Sequence, residues 1–215
     1  GPALRLAPLE DGTLARAALP SPVPPGGQVV VELSFRAQLP RVIARTGWAL
    51  DADGQPFFMA GQWFPKLGVW TEAGWNAYPF HANNEFFSNF GDYTVEITTP
   101  EDYFVVATGI ETHTASQPGL PGQLTWRYSA QDVIDFAWAA SPNFQSASRR
   151  VRGIELTYVY LPDHGWSVQT ALDAAETAFT NFSDWFGPYP YPRLTVLDVP
   201  EDGLNAGGME YPMLV

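Results

Sequence analysis

The sequence predicts a mainly β protein with one amphipathic helix late in the chain, and three observations carry that expectation. Apolar residues recur with period two through several short runs. Clusters of Gly and Pro separate those runs. Beyond residue 162 the apolar period lengthens to that of a helix.

The first run spans residues 28–35, with Val29, Val31, Leu33 and Phe35 on one face. Residues 92–98 repeat the pattern through Tyr93, Val95 and Ile97, and residues 123–128 through Leu124, Trp126 and Tyr128. Further strands are expected at 103–107, 133–139 and 154–161. Alternation of this kind implies sheets with one wet and one dry face, the habit of antiparallel structure. Turn signals lie between the runs at Pro24-Pro25-Gly26-Gly27, Asp51-Ala52-Asp53-Gly54 and Pro118-Gly119-Leu120-Pro121-Gly122. Residues 1–162 therefore read as an N-terminal all-β domain, an antiparallel sandwich or saddle.

From residue 166 to 186 the apolar positions are Val168, Leu172, Ala175, Phe179 and Phe182, a single stripe on an α-helix. Asp163 or Ser167 is placed to cap its start, and Gly187-Pro188 to stop it. A Pro-rich link leads to a strand at 193–199, then to a Gly-containing loop and a possible strand at 207–215. Residues 163–215 thus read as the beginning of a second domain, incomplete here. One helix and two strands bury too little surface to offset their ordering entropy, so the rest of that domain is expected in further sequence.

Composition narrows the function classes. With 46% hydrophobic and only 16% charged residues, the chain can build a core and is not expected to be disordered. Its 23 acidic against 11 basic side chains give a net charge of −12, which repels phosphate backbones and anionic headgroups. Nucleic acid and membrane surfaces are therefore not expected partners. No apolar run approaches the ~20 residues of a membrane span. Cysteine is absent, which excludes disulfides and thiolate metal sites and fits an exported or a cytosolic protein equally. His81, His113 and His164 show no metal-ligand spacing, and there is no Gly-x-Ser-x-Gly elbow.

The remaining signal is Gly207-Gly208-Met209-Glu210-Tyr211. This segment resembles the Gly-x-Met-Glu-Asn motif of the aminopeptidase N family of zinc metallopeptidases, with Tyr211 in place of the usual Asn, as in a bacterial branch. The helix, Tyr-Pro-rich link, strand and motif follow one another in the family's order. Upstream, Gln62-Trp63-Phe64-Pro65-Lys66 resembles the family's Phe-Pro turn near the cleft. The segments at 87–95, 99–109 and 135–138 are similar to its β-domain strands. The resemblance implies that residues 163–215 open a thermolysin-like α+β catalytic domain. It also implies that the whole protein removes N-terminal residues from peptides using Zn2+. The His-Glu-x-x-His ligands would lie outside this segment, on the same polypeptide or on a separate nicked chain. In the family the motif lies on an edge strand lining the cleft.

On that reading Gly207, Gly208, Met209 and Glu210 bind substrate, and the segment holds no catalytic residue. An exopeptidase must recognise a free α-ammonium, and a carboxylate held in a partly dry cleft does so by a charge-assisted hydrogen bond. Glu210 is the residue for that role. Adjacent glycines let a peptide backbone approach closely. The family adds a second amine anchor, for which Gln55 and Gln62 are both candidates. The bland readings make Glu210 an exposed strand residue, Gly207-Gly208 a turn, and Met209 and Tyr211 packing groups. A non-catalytic interaction module is the alternative function, as is a carbohydrate-binding one. For the latter, residues 70–75, with Trp70 and Trp75, are the candidate aromatic platform, against a hairpin with packed rings. The aminopeptidase reading predicts that the 215-residue chain by itself carries no aminopeptidase activity and no stoichiometric zinc. Elemental analysis of the purified chain checks this, and one tightly bound zinc per chain would overturn it.

Overall fold

A computed structural model describes residues 3–9, 12–79, 81, 87–116 and 118–215. In chain order its first strands are β1 (Ala7–Pro8), β2 (Ala15–Arg16), β3 (Gly47–Leu50), β4 (Pro56–Ala60), β5 (Val69–Thr71) and β6 (Gly74–Asn76). Next come β7 (Gly91–Pro100), β8 (Phe104–Ala107), β9 (Ile110–Ser116), β10 (Gln123–Val133), β11 (Trp138–Ser141), β12 (Gln145–Val151) and β13 (Ile154–Tyr160). A 3-10 turn (Pro162–Ser167), helix α1 (Val168–Phe186), strand β14 (Arg193–Leu197) and a second 3-10 turn (Glu201–Ala206) complete the order. The protein is mainly β, with several antiparallel sheets and, among the described residues, one α-helix.

The chain forms two compact units: Gly1–Arg36 with Phe64–Asn89, and Ala37–Trp63 with Phe90–Val215. The first holds two short hairpins, β1–β2 and β5–β6. Residues 28–35, expected as a strand, form none. Val29, Val31, Leu33 and Phe35 stay about half exposed, and Val30 more so. Alternation prepares a chain for a ladder, but the ladder also needs a neighbouring backbone in register.

The second unit holds three sheets with strand orders β7-β10-β9, β3-β4-β11-β8 and β12-β13-β14. The long strands β7 and β10, separated in the chain by β8 and β9, pair antiparallel from Gln123↔Pro100 to Ala130↔Tyr93, then shift register before Val133↔Gly91. Asp132 sits at φ 52° in that bulge, its N–H donating to Asp92 at 2.9 Å. The strand expected over 133–139 is thereby divided. Residues 134–137 bend away, Asp135 accepts the Phe136 N–H at 2.8 Å, and pairing resumes at Trp138. Gly109 (φ 93°) joins β8 to β9 where a Cβ would lie 2.4 Å from the Ser129 carbonyl oxygen, so only glycine fits the crossing.

Helix α1 follows its predicted stripe in part. Leu172 and Phe179 are buried, and Phe179 packs with Val151 and Leu156 of the sheet beneath. Phe182 is exposed, lying among Trp185 and Phe186 beyond the covered stretch. Ser167 occupies the cap position, but its hydroxyl donates to the His164 carbonyl instead of accepting a helix N–H. Gly187, at φ 107°, ends the helix as expected. Strand β14 pairs with β13 in parallel, from Glu155↔Arg193 to Val159↔Leu197.

The main core gathers Ala49, Phe57 and Met59 of the four-stranded sheet, Val159 and Leu161 from the end of β13, and Ala206, Met209, Tyr211 and Leu214 from the last residues. Truncating a fully buried side chain such as Leu156 to Ala is expected to cost about 3 kcal/mol in urea unfolding. Val31→Ser, in the half-exposed segment, is expected to stay within about 0.5 kcal/mol. A large loss at Val31 would mean that residues 28–35 are buried in a ladder after all.

Candidate functional site

The motif does not lie on a regular strand. The turn Glu201–Ala206 ends at Gly207, whose N–H donates to the Leu204 carbonyl at 3.1 Å. Gly208 follows at φ 70°, a left-handed conformation that an extended ladder cannot contain and that a side chain resists. The strand expected over 207–215 is confined to the end of that stretch. There Thr195 donates to Met213 at 2.9 Å, Val215 to Thr195 at 2.9 Å, and Leu197 to Val215 at 2.7 Å. These bonds set the last three residues alongside β14. The bend that precedes them is closed by the Leu214 N–H on the Tyr211 carbonyl, with Met213 at φ 64°.

Burial then decides what each motif residue faces. Met209 and Tyr211 are 8% exposed and belong to the main core. Between them Glu210 turns outward, its side chain 67% exposed. Gly207 and Gly208 are exposed. A side chain at Gly61 would meet the Tyr211 hydroxyl at 2.5 Å, so the absence of one there is what lets Tyr211 seat against the end of β4.

That contact separates the two glutamines. Gln55 lies in the turn joining β3 to β4, its backbone N–H donating to the Asp51 carboxylate at 2.8 Å. Gln62 follows Gly61 at the other end of β4, about seven residues of extended chain away, or roughly 20 Å. Only Gln62 therefore shares an end of the sheet with the motif. Its Nε2 donates to Asp135 Oδ2 at 2.6 Å, and Asp135 is buried. Because a carboxylate only accepts, that bond fixes the amide's polarity and leaves Oε1 to accept from a ligand. Trp63 holds the segment in place, with Nε1 donating to the Phe136 carbonyl at 3.1 Å and its ring edge-on to Trp138.

A partner absent from the sequence reading is Arg45, whose Nη1 lies 3.4 Å from Glu210 Oε1. It belongs to a tight turn in which Ile43 and Thr46 exchange backbone hydrogen bonds of 2.9 and 3.1 Å. The two central residues, Ala44 (φ 47°) and Arg45 (φ 73°), carry the positive φ of a type I′ turn. Such turns favour Asn-Gly, and Ala-Arg pays about 1 kcal/mol or more per residue for the conformation. The turn is held in place because Arg45 N–H donates to Asn205 at 2.9 Å and Gly47 leaves no room for a Cβ against Pro40 and Val42. Arg41 adds an ion pair to Asp202 and stacks its guanidinium 4.9 Å from the Trp48 ring centre. Only the fold brings Arg45 to Glu210, since the two lie far apart in sequence.

The other candidates resolve differently. Trp70 and Trp75 face each other across β5–β6 with ring centres 5.1 Å apart at 81°, an edge-to-face pair and not a coplanar stacking platform. His81 and His113 are exposed. His164 Nδ1 bonds the Asp198 carboxylate, and Asp163 lies 3.6 Å from its Nε2. Among the described residues no three His, Cys, Asp or Glu side chains come together to hold a metal ion. Among them, too, no helix is long and apolar enough to cross a membrane.

No protein-family model matches the chain, and no curated protein matches it.

The hydrogen bond from Asp198 holds the His164 pKa above its usual 6.5, reinforced by the charges of Asp198, Asp163 and Glu201 against a partial loss of hydration. A raised folded-state pKa means that this contribution is complete below about pH 6.5 and is lost as pH rises through the folded value. Stability of the wild type is expected to fall relative to His164→Gln as pH rises above about 6.5, as read by urea unfolding at a series of pH values. Parallel profiles for the two proteins would remove the ion pair from the account.

Proposed function

We propose that this chain is the amine-recognising portion of a zinc-dependent aminopeptidase that removes N-terminal residues from peptides. The observation that carries the reading is the alternation at 209–211: two core side chains clamp the backbone while Glu210 between them is turned out to solvent. A carboxylate fixed at its backbone and open at its tip is what recognition of an α-ammonium requires. Gln62, at the same end of the sheet and with its donor committed to Asp135, is the second anchor through Oε1. Gln55 is assigned no role, since it lies at the far end of β4.

Gly207 and Gly208 keep the approach to Glu210 free of side chains, and Met209 serves by anchoring the loop. Helix α1 packed on β12–β13, with β14 parallel to β13, supplies the opening helix and strands of a thermolysin-like α+β domain in this reading. The described residues do not fit a zinc site, so the metal's ligands belong to the remainder of that domain, on the same polypeptide or a separate chain. Zinc held there would supply polarisation of the scissile carbonyl and activation of water. The present residues bind and orient the substrate's N-terminus. A substrate lacking the amine has no cation to offer Glu210 in exchange for Arg45, which penalises blocked peptides.

In the zinc-loaded full-length protein, Glu210→Ala is expected to lower kcat/KM for leucine arylamide about 100-fold, the loss of one charge-assisted contact. Gln62→Ala is expected to lower it about tenfold, chiefly through KM. Unchanged kcat/KM in Glu210→Ala, or equal cleavage of the N-acetylated substrate, would rule the anchor out.

A further inference from the structure

Arg45 stands where a bound ammonium would stand. Its guanidinium lies against the Glu210 carboxylate, Nη1 facing Oε1. At 3.4 Å the contact is longer than the 2.7–2.9 Å of a strong charged hydrogen bond, so it holds the carboxylate loosely. The two side chains also differ in freedom. Arg45 is 33% exposed and Glu210 is 67% exposed, so the carboxylate is the member able to swing to a ligand.

The turn that presents Arg45 is specific. Two successive non-glycine residues are kept at positive φ, and the Arg45 N–H is tied to Asn205, three residues before Gly208. The Arg45 backbone and the motif loop are therefore fastened to each other, which keeps the side chain within reach of Glu210. Strain retained beside a binding group signals a role for the residue that bears it.

We propose that Arg45 is an internal competitor for the amine site: it neutralises Glu210 in the empty protein and must be released when a free N-terminus binds. The proposal rests on the reading of Glu210 as an amine anchor. It adds that affinity for amines is set below what Glu210 alone would give, and that blocked or acidic ligands gain nothing from the exchange. A positioning role for Arg45 would have the opposite sign, because removing a support weakens binding whereas removing a competitor strengthens it.

The test is titration of the 215-residue chain with L-leucinamide at low ionic strength, followed by two-dimensional NMR, with N-acetyl-leucinamide as the ligand without an amine. Arg45→Gly preserves the backbone, since glycine accepts φ 73° without strain. It is expected to bind leucinamide about three- to fivefold more tightly than wild type, the range of an exposed ion pair. Arg45→Lys retains the charge and is expected to bind as wild type does. Affinity in Arg45→Gly that is equal to or weaker than wild type, or no binding at all, overturns the proposal. The double variant Arg45→Gly with Glu210→Gln separates the two ideas. Loss of binding there with no gain in Arg45→Gly removes the competitor and keeps the anchor, whereas retained binding removes the anchor itself.

Discussion

The structure of the larger unit depends on burying the last apolar residues of the chain against the four-stranded sheet. Met209, Tyr211 and Leu214 join Phe57, Met59 and Ala139 in one core, together with Val159 and Leu161 from the neighbouring sheet. Each such side chain contributes about 1.5–3 kcal/mol on removal from water. That burial fixes the loop 201–210, and the fixed loop in turn forces its one interleaved charged residue outward. The exposure of Glu210 is thus a product of packing, not of a strand that happens to face solvent.

The same constraint explains why glycine recurs around the site. Gly61 admits the Tyr211 ring, Gly47 admits the backbone of Pro40 and Val42, and Gly208 turns the chain into the core. The first two are close approaches of backbone to ring or backbone near the end of β4, whereas Gly208 serves through its positive φ alone. The polar groups there are then fixed by hydrogen bonds to neighbouring segments. Asp135 orients Gln62, and Asn205 fastens the turn that carries Arg45. The surrounding negative charge of the protein, −12 in total, favours cationic ligands at long range, while the local Arg45 opposes them at contact.

Local pattern was legible in the sequence wherever a segment found a partner in register. The alternation of Tyr93, Val95 and Ile97 became β7 because the matching run through Trp126 and Tyr128 returns beside it after two intervening strands. Val29 to Phe35 carry an equally regular pattern and form no ladder, since periodicity describes a chain and pairing requires a second one. The helix stripe was correct through Phe179 and failed at Phe182, because spacing says which side chains share a face and not how far the sheet beneath extends. At the site, the outward Glu210 between packing residues was readable from the motif. Arg45 was not, as its position follows from a turn whose Ala-Arg sequence is unfavourable for that geometry. The choice between Gln55 and Gln62 likewise needed the length and direction of β4.

The edge-to-face indoles of β5–β6 have an optical consequence. Two tryptophan rings 5.1 Å apart and nearly perpendicular couple their strong ultraviolet transitions, so that they absorb as a pair and give a split circular-dichroism band. The pair sits in the smaller unit, where regular structure among the described residues is limited to two hairpins. Its signal disappears when the two strands separate, whatever the state of the larger sheets. Trp63 and Trp138 form a comparable pair in the larger unit, so the smaller unit's label is the part of the band that Trp75→Phe removes.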